Sequence, residues 1–286
     1  MLKENTLKED EISYRLGHSF CQEVVKYIER CHLEDGGYFF ARVPPSSGMD
    51  TYHAVKSLAI LGKKPECPDM VANFFLEDIK NGSWGGIPGV FITTAVLDEL
   101  GQLTSAICKY AKQRIMATQN RAGGFGAYKN IDVETSSELE GTYRAVWVLK
   151  TTGADFDKQK VINFVSRFLN NNGGYGSRGH PTLASTFYAT AIYRLLDFEI
   201  RRLAETKNFL RNCEENWQVN FIEDLFWLIK ALSNIREKCR FPDKAIEFVR
   251  ECQRSNGGFS RGTVIGIPTL EYTYYALSIL REVGAL

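Results

Sequence analysis

Few side chains in this 286-residue sequence are spaced for chemistry. Glu138 and Glu140 precede Thr142, Glu271 stands two residues before Thr273, and Asp50 and His53 flank Thr51 and Tyr52. Paired carboxylates can hold one member protonated, which suits a strong acid in a dry pocket. A carboxylate near an imidazole can orient or take a proton, or remain a plain hydrogen-bonded pair. Each acid also has a structural explanation, because carboxylates favour helix N-termini. Ser47-Gly48-Met49-Asp50 in particular reads as a helix start. Arg178, His180, Arg144, Arg254 and Arg261 are the cations for an anionic group, or else solvated surface charges. Tyr52, Tyr143, Phe187, Phe226, Trp227 and Tyr274 could flank an apolar chain or a carbocation, although aromatics at helical spacing are also core material.

Composition removes several function classes. With 35 basic and 34 acidic residues the net charge is +1, which lacks the concentrated basic face of a nucleic-acid binder. There is no apolar run of 18 residues, so no transmembrane segment is expected, and the charged start MLKENTLKEDEISYRLGH is unlike a signal peptide. Seven cysteines are scattered without a CxxC pair, which suits buried free thiols in a cytoplasmic protein. Neither an HExxH pattern nor a P-loop is present.

The elements that must position these residues come from a repeat. Thr-aromatic-x-Ala, with Gly or Asp eleven residues after the Thr, occurs at Thr51–Gly62, Thr142–Gly153, Thr186–Asp197 and Thr273–Gly284. The spacings between the Thr residues, 91, 44 and 87, are two, one and two units. Val90–Gly101 and Phe221–Leu232 read as degenerate copies that complete six. An amphipathic segment precedes each copy and ends near a glycine pair, as at Gly123-Gly124 and Gly173-Gly174, where helix C-caps are expected. Asn216-Trp217 stands in place of the fifth pair. Amphipathic outer helices alternating with apolar inner ones predict an all-α (α/α)6 toroid of six hairpins. Neither terminal unit lacks an apolar face, which favours a closed ring over an open solenoid. The expected layout is an N-terminal segment, 1–17, and one toroid domain, 18–286.

On these marks the chain resembles the superfamily of protein prenyltransferase β subunits and squalene-type terpene cyclases. The carriers are the GGFG turn, the TYRAVWVL helix, and Gln119 and Gln253, each four residues before a Gly-Gly-Phe. The resemblance implies a central apolar funnel for an isoprenoid diphosphate or polyprenyl substrate, with polar groups at the N-terminal ends of the inner helices. Those ends favour anions on physical grounds as well. The β-subunit zinc motif Asp-x-Cys is missing. Asp50-Thr51-Tyr52-His53 is similar to the family's His-bearing stretch, displaced around the ring, where closure would set Glu271 beside it. Glu and His can bind zinc, but Thr is a poor stand-in for Cys, so no metal ligand set is assigned; zinc, the metal of the β subunits, or magnesium stays possible. The cyclase motif Asp-x-Asp-Asp-Thr is approximated by Glu138-Leu139-Glu140-Gly141-Thr142, with Glu140 at the proton-donating position.

The expected function is a prenyltransferase-like enzyme acting on an isoprenoid. In it Arg178, His180 and Arg144 meet the diphosphate, Tyr52, Tyr143, Phe187 and Tyr274 line the funnel, and Glu271, His53 and Asp50 serve the reaction. Two alternatives stay open: a class II cyclase-like enzyme with Glu140 as acid, and a non-catalytic toroid that binds a lipid or a protein. Heterodimeric members of the family use a helical partner subunit, which a separate chain would have to supply.

Overall fold

The computed structural model describes residues 17–82, 84–126, 136–264 and 266–286. Most of the expected N-terminal segment and the polar crossing at 127–135 lie outside them. Twelve helices run through the described residues. The outer set is α1 (His18–Glu29), α3 (Pro68–Lys80), α5 (Ser105–Met116), α7 (Lys158–Ser166), α9 (Leu203–Glu215) and α11 (Pro242–Cys252). The inner set is α2 (Gly48–Ile60), α4 (Ile87–Glu99), α6 (Ser136–Thr151), α8 (Leu183–Leu196), α10 (Ile222–Asn234) and α12 (Leu270–Glu282). Each inner helix packs on the next, and α12 packs on α2, so the inner ring closes. The outer ring closes too: a Cβ on Gly257 would lie 2.4 Å from the Glu23 carbonyl oxygen of α1. The fold is the expected (α/α)6 toroid.

The repeated threonine has a mechanical role that its helical setting does not announce. Thr51, Thr142, Thr186 and Thr273 accept the backbone N–H of Tyr38, Phe125, Tyr175 and Phe259, at 2.8–3.3 Å. Each thereby pins a glycine turn to the N-terminal part of an inner helix. Gln119 and Gln253 donate to the carbonyls of Gly123 and Gly257 inside the same turns. A two-stranded hairpin, β1 (Gly176–Ser177) with β2 (His180–Pro181), extends the fourth turn.

The glycine pairs do not cap the outer helices. α5 ends at Met116 and α7 at Ser166, well before Gly123 and Gly173. These glycines instead sit where the turn meets the backbone of the next outer helix. A Cβ on Gly173, which has φ +89°, would stand 2.2 Å from Glu205 carbonyl atoms. The helix-terminating residue is the one eleven positions after the Thr. Gly62, Gly101, Gly153, Asp197, Arg236 and Gly284 all have positive φ. The following N–H closes a six-to-one bond onto the helix each time, as in Lys63 N–H to Leu58 C=O at 2.9 Å. Arg236 corrects the fifth copy: the true register is Leu225–Arg236, four residues beyond Phe221–Leu232. Without a Thr to mark the copy, the sequence pattern puts Phe221 at the position that Leu225 holds.

Candidate active site

With the register corrected, the residue after the pinning position is aromatic on every inner helix: Tyr52, Phe91, Tyr143, Phe187, Phe226 and Tyr274. Neighbouring rings touch all the way round. Centroid separations are 5.4 Å (Tyr52–Phe91), 6.4 Å (Phe91–Tyr143), 5.7 Å (Tyr143–Phe187), 5.6 Å (Phe187–Phe226), 5.9 Å (Phe226–Tyr274) and 6.0 Å (Tyr274–Tyr52). All six collar residues line one central cavity of about 600 Å³. That volume falls in the range of small-molecule sites. All four aromatics assigned to the funnel from sequence therefore lie on it; Phe91 was missed because its copy lacks the Thr.

His53 lies beside the collar, stacked on Tyr274 at 5.5 Å and 28°. It lines the cavity and is only 4 % exposed, with Nδ1 buried and without a hydrogen-bond partner among the described residues. Burial, with the Arg144 charge adding to it, pushes its pKa down to about 3. His53 is a neutral imidazole at physiological pH.

Carboxylates mark the N-terminal end of the cavity. Glu140 accepts from Arg144 at 2.6 Å and from the Tyr188 hydroxyl at 2.8 Å. Arg144 and the Tyr188 hydroxyl thus occupy the same Glu140 oxygen, and the Arg144 guanidinium is paired with it. Glu138 is buried in the first turn of α6, where an acid suits the helix dipole. Glu271 lines the cavity and accepts from the Tyr275 hydroxyl at 2.9 Å. Glu223 holds the same register in the fifth unit and pairs with Arg261 at 2.6 Å. Asp50 donates its backbone N–H to the Ser47 side chain, as the helix-start interpretation expected. Its carboxyl is buried behind the cavity wall, and its pKa rises to about 6. Burial is the main cause; the nearby Glu271 charge adds to it and the Ser47 bond opposes it.

Arg178 and His180 do not belong to the cavity. They sit in the exposed turn and second strand of the β1–β2 hairpin, away from the bore lining. The hairpin precedes α8, and neither Arg178 nor His180 is among the residues that line the cavity. Side chains that sequence reasoning missed lie at the other end. Trp147, Lys150, Arg194 and Lys230 all line the cavity toward the C-terminal ends of the inner helices.

The residues present do not suit zinc. Among the described residues no three His, Cys, Asp or Glu side chains cluster to hold a metal ion. His53 is enclosed by aromatics, and the seven cysteines are unpaired, with Cys31, Cys213 and Cys252 buried and Cys67 exposed. No helix among the described residues is long and apolar enough to cross a membrane.

Comparison with known proteins agrees with this architecture. The family model described as the prenyltransferase alpha-alpha toroid domain matches residues 7–86, 88–223 and 215–285. Among solved structures, Candida albicans protein geranylgeranyltransferase-I complexed with GGPP is similar with a TM-score of 0.70. The match is 17 % identical and covers 91 % of this chain and 90 % of that one. No curated protein matches the sequence. The chain belongs to the prenyltransferase α/α toroid family, the superfamily of protein prenyltransferase β subunits and squalene-type cyclases.

Proposed function

We propose that this protein is an isoprenoid-handling enzyme that binds a prenyl diphosphate with its chain against the aromatic collar and transfers the prenyl group to an acceptor. The observation that carries this is the closed circuit of six rings around one cavity. Aromatic faces pack against an unsaturated chain and stabilise cationic carbon, the charge that develops when an allylic diphosphate ionises. In transfer, the C1–O bond to diphosphate breaks, a bond from C1 to the acceptor forms, and the acceptor loses a proton. The similar Candida protein complexed with GGPP supports an isoprenoid diphosphate as ligand, and a helical partner subunit belongs to this reading.

A second reading is favoured by one observation. A buried carboxyl with a raised pKa, Asp50, lies near Glu271, and Glu271 and neutral His53 both line the cavity. A carboxyl pair whose cavity member is Glu271, with a base on the same cavity, suits cyclisation: a proton adds from Glu271 to the chain's terminal alkene, a ring C–C bond forms, and the resulting cation gives a proton to His53. This replaces Glu140 as the acid, since a carboxylate oxygen of Glu140 is taken up by Arg144 and the Tyr188 hydroxyl. The non-catalytic toroid is the remaining alternative.

Incubation with farnesyl and geranylgeranyl diphosphate, with and without acceptors and divalent metals, separates them. Acceptor-dependent release of diphosphate supports transfer, and a cyclic product that retains its diphosphate supports the second reading. Binding without turnover supports the non-catalytic alternative. Absence of any binding would remove the isoprenoid proposal.

A further inference from the structure

The central cavity runs the length of the inner ring. Met49, Glu140 and Glu271 line it near the N-terminal ends of the inner helices, and Lys150, Arg194 and Lys230 near the C-terminal ends. Lys150 and Arg194 are also solvent-exposed, so the cavity reaches the surface at this second mouth. Lys150 bonds the Leu195 carbonyl, Arg194 donates to the Ser233 carbonyl at 2.8 Å, and Lys230 pairs with Glu282 at 2.5 Å. Each of these ties joins neighbouring inner helices along the rim, and none of the three crosses the mouth.

A second cavity, of about 690 Å³, begins where the bore ends. Arg194 and Asn234 line both. It is a groove between the α8–α9 connection and the end of α10, walled by Phe198, Ile200, Leu203 and Ile235. Leu203 is 46 % exposed, and the other three are half-buried. Asp197, Glu199 and Arg236 give the groove a polar edge. Single exposed apolar residues are ordinary, but four in one trough beside an aromatic-collared bore extend its apolar surface. The aliphatic stem of Arg194 bridges the two cavities while its guanidinium stays on the Ser233 carbonyl.

Length decides what reaches the groove. Phe187 and Arg194 are seven residues apart on α8, so the mouth lies about 10 Å beyond the collar. Trp147, Ala191 and Leu195 line the stretch between. An extended carbon chain advances about 1.2 Å per bond, roughly 5 Å per isoprene unit. With the diphosphate at the N-terminal ends of the inner helices and C1 at the collar, about two units fill this stretch. The last unit of a farnesyl chain then lies in the mouth, and any further unit emerges from it. We propose that the bore is a through-passage for prenyl chains of geranylgeranyl length and longer, whose distal units leave by the C-terminal mouth and lie in the groove of Phe198, Ile200, Leu203 and Ile235. Those four residues then set the preference for chain length. The inference rests on the isoprenoid reading of the bore and adds the class of chain it takes.

Equilibrium binding of farnesyl, geranylgeranyl and all-trans pentaprenyl diphosphates to the intact chain tests it, with farnesyl diphosphate as competitor for the longer two. Pentaprenyl diphosphate should compete for the same site and bind at least as tightly as geranylgeranyl diphosphate. Leu203→Asp should weaken pentaprenyl diphosphate at least fivefold and leave farnesyl diphosphate within twofold. Leu203→Met, which keeps the apolar surface, should match wild type, and melting temperatures show that each variant is folded. A photoreactive group at the far end of the pentaprenyl chain should label residues 198–203 or Ile235. Saturable farnesyl binding with pentaprenyl diphosphate at least tenfold weaker than geranylgeranyl means a closed floor; it overturns the passage and leaves the isoprenoid reading standing. Labelling confined to the N-terminal mouth, or unchanged pentaprenyl affinity in Leu203→Asp, also overturns it. Failure of all three ligands to bind removes the isoprenoid reading, and this inference with it.

Discussion

Tyr52, on the first inner helix, and Tyr274, on the last, stand with ring centroids 6.0 Å apart. They belong to opposite ends of the chain, and their contact completes both the helical ring and the aromatic collar. Closure and cavity therefore share one seam. A change that loosens α2 from α12 should disturb stability and ligand binding together.

The glycine turns give a graded test of how the outer ring is assembled. Gly173→Ala should destabilise by about 3 kcal/mol or more, combining a left-handed backbone with a collision against α9. Gly62→Ala has a similar φ, +67°, but open space around it. It should cost only about 1–2 kcal/mol. Urea midpoints at constant slope check the contrast, and equal losses would refute the contact argument.

Thr186→Val keeps the shape of the pin and removes the acceptor for the Tyr175 N–H. Leaving that buried donor unpaired should cost about 1–3 kcal/mol. Hydrogen exchange at Tyr175 should accelerate in the variant; an unchanged rate would mean the turn is held by other contacts.

Acid and base should pull stability in opposite directions. His53 has a pKa near 3 in the fold, below its ordinary value, so the unfolded chain takes up its proton first as pH falls. Its stabilising effect is complete above about pH 6.5 and is lost progressively below that, toward pH 3. Asp50 has a raised pKa near 6, so the fold holds the extra proton between about pH 4 and 6, and stability declines as pH rises through that window. Asp50→Asn should therefore stabilise the protein at pH 8, by at most about 2–3 kcal/mol, with little gain at pH 4. His53→Gln should flatten the acid limb between pH 6 and 4. Melting temperatures of both variants across pH check the signs.

His53 also separates the chemical readings. His53→Gln should retain prenyl-ligand affinity within about threefold, since the ring carries no charge to lose. If His53 is the base for a cyclised cation, product formation should drop at least tenfold and stop depending on its titration. Unchanged turnover would remove His53 from the chemistry and leave it a wall residue.

Much of the architecture is legible from periodicity because the same physical unit occurs six times. The ring closes as expected since Thr273–Gly284 has the same apolar face as Thr51–Gly62 and meets it. The slip in the fifth copy shows the limit. Leu225 replaces the pinning Thr, and only the left-handed Arg236 restores the register. Glu223 then falls into line with Glu140 and Glu271, an alignment hidden while the copy was misplaced. Arg178 and His180 followed the family's pattern, but they belong to a hairpin before α8 and do not line the bore. Lys150 and Arg194 look like ordinary last-turn cations in sequence. Their seven-residue offset from Tyr143 and Phe187 was the available signal, visible only once the aromatic positions were known to face a cavity.

Ala191 offers the most direct test of the central claim, because it lines the bore and is 6 % exposed. Ala191→Trp should fill the space beside the collar without altering the outer ring. Titration of farnesyl diphosphate is the measurement: the wild-type chain should bind it at one saturable site. The variant, melting within a few degrees of wild type, should lose affinity at least tenfold. Equal affinity in a folded Ala191→Trp, or no saturable binding by the wild-type chain, would contradict an isoprenoid site inside the ring.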